Sequence, residues 1–249
     1  CVSTVNTTSI VNVTFENIVV TDISGCGAFF LGTDGKSRQA TALMKDVTLR
    51  NITVQGRRTD NFTTHLFSEA IMINSAAVTD NVVLQDISVS LQDNPDPYGA
   101  AIKIISHPDA QSWNGLELSN LQLGVVSDGK ESIGLYVDGH GAGLTNVTMR
   151  HVLVSRHNVR LHNVDQLVMY NVTTLDGALR FEGTRPINDV TILNSSFTLS
   201  TCQNTTAALS FTSDGSSMTN VVVRDTYIHA PSVPVATELE GGTMRMSVA

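Results

Sequence analysis

One short phrase returns eight times along this chain: two alternating apolar residues, a spacer, an Asn or Asp, then two more alternating apolar residues. The copies run Val13 to Val20 around Asn17, Val47 to Val54 around Asn51, Val82 to Val89 around Asp86, and Leu116 to Leu123 around Asn120. Four more follow, Val147 to Val154 with His151 in the central place, Leu167 to Thr174 with Asn171, Val190 to Phe197 with Asn194, and Val221 to Ile228 with Asp225. Residues 17, 51, 86, 120, 151, 171, 194 and 225 are thus 34, 35, 34, 31, 20, 23 and 31 apart. A repeat of this period, sustained over nearly the whole chain, implies a solenoid.

Each phrase reads as two short strands of period 2 that meet at the Asn, a residue that tolerates left-handed backbone and suits a tight corner. A third strand is expected between successive phrases, at 29–31, 71–73, 102–104, 135–137, 159–161, 179–181 and 209–211. Three strands per turn, no helical period and an Asn-rich corner predict a right-handed parallel β-helix of about eight coils, each strand pairing with its equivalents about 4.8 Å above and below. The corner Asn residues are expected to face inward as a stacked ladder. This pattern, over about residues 9 to 240, resembles the pectate-lyase-like superfamily of parallel β-helix proteins, and the resemblance is one of architecture.

A solenoid grows by adding coils to one continuous core, so residues 1–249 are read as one domain. The net charge of −8 argues against a nucleic-acid partner, and the lack of a long apolar run predicts no membrane span. The chain starts at Cys1 without an initiator Met or signal peptide, and no amphipathic helix covers its first coil, so a fragment or one part of a larger chain or assembly is expected. Self-association or a neighbouring subunit would then cover the uncapped ends. Cys1 and Cys26 are separated by about one coil, compatible with either a disulfide or two thiols, and Cys202 is left over.

Eight Asn-x-Ser/Thr sequons suggest an extracellular or cell-surface glycoprotein. Asn6, Asn61 and Asn204 lie in loop-like surroundings and are the candidate acceptors; Asn51, Asn171 and Asn194 are set aside as inward corner residues.

Loops on a rigid scaffold commonly carry function, and the longer insertions flank the third strand. Alternation sends its intervening residues outward in two columns. One reads Phe30, Met72, Lys103, Tyr136, Arg160, Arg180, Ser210; the other reads Gly32, Asn74, Ile105, Asp138, His162, Glu182, Thr212. Lys103, Tyr136, Arg160 and Arg180 then form a stripe beside Asp138, His162 and Glu182. Stacked like charges need an anion or nearby carboxylates to offset them. A solvated face with Arg180 on Glu182 and Arg160 on Asp138 is the plain structural alternative.

Tyr136-Val137-Asp138-Gly139-His140 is similar to the Tyr, Asp and His cluster of mannuronan C5-epimerases, with the Asp and His one residue nearer the Tyr and without that motif's Pro. Alginate lyases related to chondroitinase B, which use Lys and Arg on the same sheet, are also similar. These resemblances imply an anionic, uronic-acid polysaccharide as partner, with Tyr136 or Lys103 as base, His140 as proton donor, and Arg160 beside Asp138. Proton abstraction next to a carboxylate needs such a base, an acid and cations that stabilise the enolate-like intermediate. Arg180, His162 and Glu182 would line the substrate groove, with Tyr98 and Trp113 on flanking loops as sugar platforms.

Gly139-His140-Gly141 and Asn158-Val159-Arg160-Leu161 resemble segments of the polygalacturonase family, but where that family carries catalytic aspartates this chain has Ile71-Met72-Ile73 and Ile102-Lys103-Ile104. Asp138 and Glu182, two coils apart, leave an inverting glycoside hydrolase as a further alternative. Asp93-Asn94-Pro95-Asp96 offers Ca2+ ligand types without EF-hand spacing, so Ca2+ is a candidate ligand and the sequence points to no definite cofactor. The rival from another class is a non-catalytic β-helix segment of a fibre, spike or cell-surface assembly.

Overall fold

The computed structural model describes residues 2–3, 9–23, 27–33, 42–57, 69–92, 100–108, 110, 112–126, 133–140, 143–199, 207–213, 217–230, 237–240 and 246–248. The chain is an all-β parallel solenoid built from two stacked sheets. Among the described residues the first has nine strands, including Phe29–Thr33, Ile71–Ser75, Ala100–Ser106, Ile133–Asp138, Asn158–His162, Leu179–Gly183 and Leu209–Ser213. Those seven are the strands expected between the phrases; Val2–Ser3 and Thr237–Glu240 extend the sheet beyond them. The second sheet, with eleven strands among the described residues, holds the repeated phrases.

The phrases do not divide into two strands as expected. Ser9–Ile23, Leu43–Arg57, Val78–Gln92 and Ser112–Val126 are each one bent strand of 15 residues. Only toward the C-terminal end do they split, into Ile187–Leu193 with Ser196–Thr198 and Met218–Arg224 with Tyr227–His229. The bend is made by residues with positive φ, and there are two per phrase. The second is the expected corner, as at Asn17, Asn51, Asp86 and Asn120; the first lies five residues earlier, as at Asn12, Asp46, Asn81 and Gly115. Pairing continues on both sides of each corner: Lys45 faces Asp80, Val47 faces Val82, Arg50 faces Gln85 and Ile52 faces Ile87.

The corner side chains face solvent, not the core, which corrects the expected inward ladder. Along one strand the buried residues are Met44, Val47, Leu49, Ile52 and Val54; along the next they are Thr79, Val82, Leu84, Ile87, Val89 and Leu91. The step is two residues on each straight stretch and three across each corner. One left-handed residue therefore adds a second consecutive outward side chain, and inward alternation resumes in phase beyond it. The corner Asn is that extra outward residue. Asn51 Nδ2 donates to Asn17 Oδ1 at 2.7 Å and Asn120 Nδ2 to Asp86 Oδ1 at 2.9 Å. The first corner stacks likewise, with Asn81 donating to Asp46 at 2.7 Å and Asn220 to Asp189 at 2.9 Å.

At Gly115 the corner has no side chain, and an added Cβ would lie 3.2 Å from the backbone nitrogen of Asn81. Neighbouring Asn114 fills the rung instead, donating to Asp80 Oδ1 at 3.1 Å and accepting from Asn146. Because the corners are exposed, burial no longer separates Asn51, Asn171 and Asn194 from the other sequons. Asn6, Asn61, Asn204 and all three cysteines lie outside the described residues.

Replacing Asn120, whose φ is 53°, with Ala forces a Cβ-bearing residue without a compensating side-chain bond into left-handed backbone. The expected loss is about 1–2 kcal/mol in urea unfolding. Asn120→Gly keeps the backbone freedom and gives up only the ladder bond, so it should lose less than half as much. Equal losses in the two variants would mean that backbone conformation is not what the corner Asn supplies.

Candidate functional site

The outer face of the nine-stranded sheet carries the predicted columns in the expected order. Its strands alternate buried and partly exposed residues, with Ile102, Ile104, Leu135, Val137, Val159, Leu161, Leu179 and Phe181 in the core. Phe30 pairs in register with Met72, Met72 with Lys103, Lys103 with Tyr136, Tyr136 with Arg160, Arg160 with Arg180, and Arg180 with Ser210. The second column aligns Ile105, Asp138, His162, Glu182 and Thr212. A bulge at the start of Asn158–His162 maintains this alignment: Asn158 pairs with Ile133 and Val159 with Leu135, so Gly134 is the extra residue. A Cβ on Gly134 would meet Val154 Cγ1 at 2.3 Å.

Asp138 is the centre of the arrangement and is only 8 % exposed. Its Oδ2 accepts from Tyr136 Oη at 2.9 Å, along the same strand, and its Oδ1 lies 2.7 Å from His162 Nδ1, on the next coil. A carboxylate only accepts, so the His162 proton on this contact belongs to Nδ1 and the ring's basic nitrogen is Nε2. His140 follows Asp138 on the turn that ends the strand, with its ring centroid 6.3 Å from that of His162. Gly139 allows this close approach: its N–H donates to the His162 carbonyl at 2.8 Å, and a Cβ there would collide with the Asn163 carbonyl. Asn163, buried beyond His162, accepts from the Thr184 N–H at 2.9 Å and ties this end of the strand to the following coil.

The Tyr136 ring lies between two cations, with Lys103 Nζ 5.9 Å and Arg160 Cζ 5.7 Å from its centroid. Both cations have carboxylate partners. Lys103 Nζ is 3.0 Å from Oε1 of Glu69, which is itself 5 % exposed, and Arg160 meets Glu182 Oε2 through Nε at 2.8 Å and Nη2 at 2.7 Å. Burial first, then the charge and hydrogen bond of Asp138, push the Tyr136 phenol well above its ordinary pKa, with Arg160 opposing and Glu182 adding to the rise. Tyr136 therefore meets Asp138 as a neutral hydrogen-bond donor at neutral pH.

The hydrolase alternative needs one of Asp138 and Glu182 to supply a proton. Asp138 accepts from Tyr136 and contacts His162, Glu182 accepts from Arg160, and His162 lies between the two carboxylates in the column. Trp113 differs from its expected place. It stands within Ser112–Val126, is 2 % exposed and belongs to the core, so its ring offers no sugar platform. Tyr98 and the Asp93–Asp96 segment lie outside the described residues. Glu69 was not among the sequence candidates: it precedes its strand, and only the register between coils shows that it meets Lys103, one coil later.

No protein-family profile, curated protein or solved structure matches the chain.

In an alkaline absorbance titration, Tyr136 should ionise well after the roughly pH 10 range of an ordinary tyrosine. Tyr136→Phe should abolish that late component, and Asp138→Asn should move it part of the way down, since burial remains. The linked stability has a definite sign. The neutral phenol's contribution is complete below the unfolded-state pKa and is lost as pH rises toward the folded-state value, so Tyr136→Phe should lessen the fall in stability above about pH 10.

Proposed function

We propose that this outer face is a carbohydrate-active surface that takes an anionic, uronic-acid polysaccharide and moves a proton at the sugar carbon next to the carboxylate, as a lyase or C5-epimerase does. The observation that carries the reading is the convergence of Tyr136 and His162 on the shielded carboxylate of Asp138, with His140 alongside. Asp138 sets the tautomer of His162 and would stabilise the imidazolium formed when Nε2 takes a proton. His162 is the base in this proposal, His140 the exposed proton donor, and Tyr136 a positioning residue that fixes the second carboxylate oxygen. Arg180 prolongs the cation column beyond Arg160 and is assigned to the substrate carboxylate. The resemblance to β-helix polysaccharide lyases and epimerases of the pectate-lyase-like superfamily and the exposed sequons support the reading and an extracellular setting.

The test is incubation with alginate, pectate and glycosaminoglycans, following unsaturated-product absorbance for elimination and C5 exchange in deuterated solvent for epimerisation. His162→Gln should lower kcat by about 10²- to 10⁴-fold. Tyr136→Phe should lower it less, by about ten- to a hundredfold, the worth of one hydrogen bond to a charged group. Arg180→Ala should weaken binding, with a loss that shrinks as salt rises.

A specific observation favours a second reading, a non-catalytic surface of a larger assembly: Glu69 and Glu182 already neutralise Lys103 and Arg160. A folded chain that gives neither product nor exchange, and retains no polyuronate at low salt, would favour this structural reading.

A further inference from the structure

We infer that Asp138, His140 and His162 form a binding site for a divalent transition metal of the Zn2+ class, and that the ion and the proton-transfer role of His162 exclude each other. One carboxylate oxygen and one nitrogen from each imidazole lie within 4.8 Å of one another. Two imidazoles and a carboxylate suit Zn2+ and its neighbours better than Ca2+ or Mg2+, which take oxygen ligands. Ligand atoms on a tetrahedral ion with bonds of about 2.0–2.2 Å are roughly 3–3.5 Å apart. Asp138 and His162, in contact at 2.7 Å, are already close together, so the adjustment falls to exposed His140 on its turn.

The three groups come from two adjacent coils whose register is held by the sheet, and Gly139 bonds the turn directly to the His162 carbonyl. Tyr136 supplies the outer-shell support common in metal sites, donating to Asp138 Oδ2 and leaving Oδ1 for the ion. With three protein ligands on the outer face of the sheet, a fourth position is left for water or another small ligand.

In the metal-free chain the Asp138 Oδ1 to His162 Nδ1 contact holds a hydrogen. An ion shared by these two side chains takes the Nδ1 lone pair, so the hydrogen of the neutral ring moves through solvent from Nδ1 to Nε2 and the bound imidazole has no free lone pair left. A loaded site thus has no basic His162, and Zn2+ acts as an inhibitor. Occupancy stands on the geometry alone; the inhibition rests on the proton-transfer reading above.

The experiment uses the full chain, treated with chelator and dialysed. Zn2+ binding is measured by calorimetry, and Co2+ is followed by its visible ligand-field absorption. One ion per chain is expected. His140→Ala and His162→Ala should each weaken binding by more than the roughly 10- to 100-fold that loss of an outer-shell partner costs, and Tyr136→Phe should weaken it by about tenfold. His229→Ala, on a strand of the other sheet, should change nothing. His140 is exposed, so its replacement leaves the fold intact, which circular dichroism verifies. Failure to bind Zn2+ or Co2+, or equal affinity in the wild-type chain and both histidine variants, overturns the site. Metal binding with the expected variant pattern but no polyuronate turnover upholds the site and removes the proton-transfer reading. Turnover that persists with the site saturated by Zn2+ overturns the mutual exclusion.

Discussion

The left-handed corner residue is the constraint on which the rest of the solenoid depends. A β-strand alternates strictly, so a bend made from ordinary extended residues would carry the apolar set out of phase. One residue at positive φ turns the chain and inserts one extra outward side chain, so that Met44, Val47, Leu49, Ile52 and Val54 all reach the same core. Asn and Asp reach that backbone at low cost, and their short polar side chains bond to the equivalent residue in the next coil. Conformational preference and stacking therefore select the same residue type at the same place. That agreement lets parallel strands of unequal connection length remain in register.

The fold was legible because this requirement recurs in every coil. The second corner of each phrase and the inward-facing residues of the first sheet recur at matching places in the sequence, and both outward columns follow from alternation alone. The first corner was equally visible as Asn or Asp five residues earlier, at Asn12, Asp46, Asn81 and Asn220. A phrase with a single bend at its centre has no place for it, because it lies just before the first apolar residue of each phrase. The direction of the ladder was less accessible. Asn17 continues the two-residue count of Val13 and Phe15, so alternation alone places it inward, and only the three-residue step across the corner shows that it faces outward.

The site was legible to a lesser degree, for a physical reason. Register determines which backbone positions are neighbours, and it grouped Lys103, Tyr136, Arg160, Asp138, His162 and Glu182 correctly. It does not determine which of several side chains within reach will pair. Arg160 lies beside Tyr136 and Arg180 in its own column, and the carboxylate it meets is Glu182, on the following coil. Glu69, which partners Lys103, lies just before its strand, where alternation assigns no definite direction. Trp113 was misplaced because Ser112–Val126 starts earlier than its apolar pattern does, so a core residue resembled a loop residue.

Charge pairing divides the outer face into two chemically distinct parts. Lys103 with Glu69 and Arg160 with Glu182 are oppositely charged pairs on either side of the Tyr136 ring, and together they add little net charge to the groove. They position the phenol more than they attract an anion. Asp138 differs: the donors on it are a neutral phenol and an imidazole, and neither is a permanent cation. Its negative charge is therefore offset by a group that can exchange a proton or yield to a metal ion. Asp138 and Glu182, on the same column, thus differ in their partners, and that difference is why the proposed function centres on Asp138, His140 and His162.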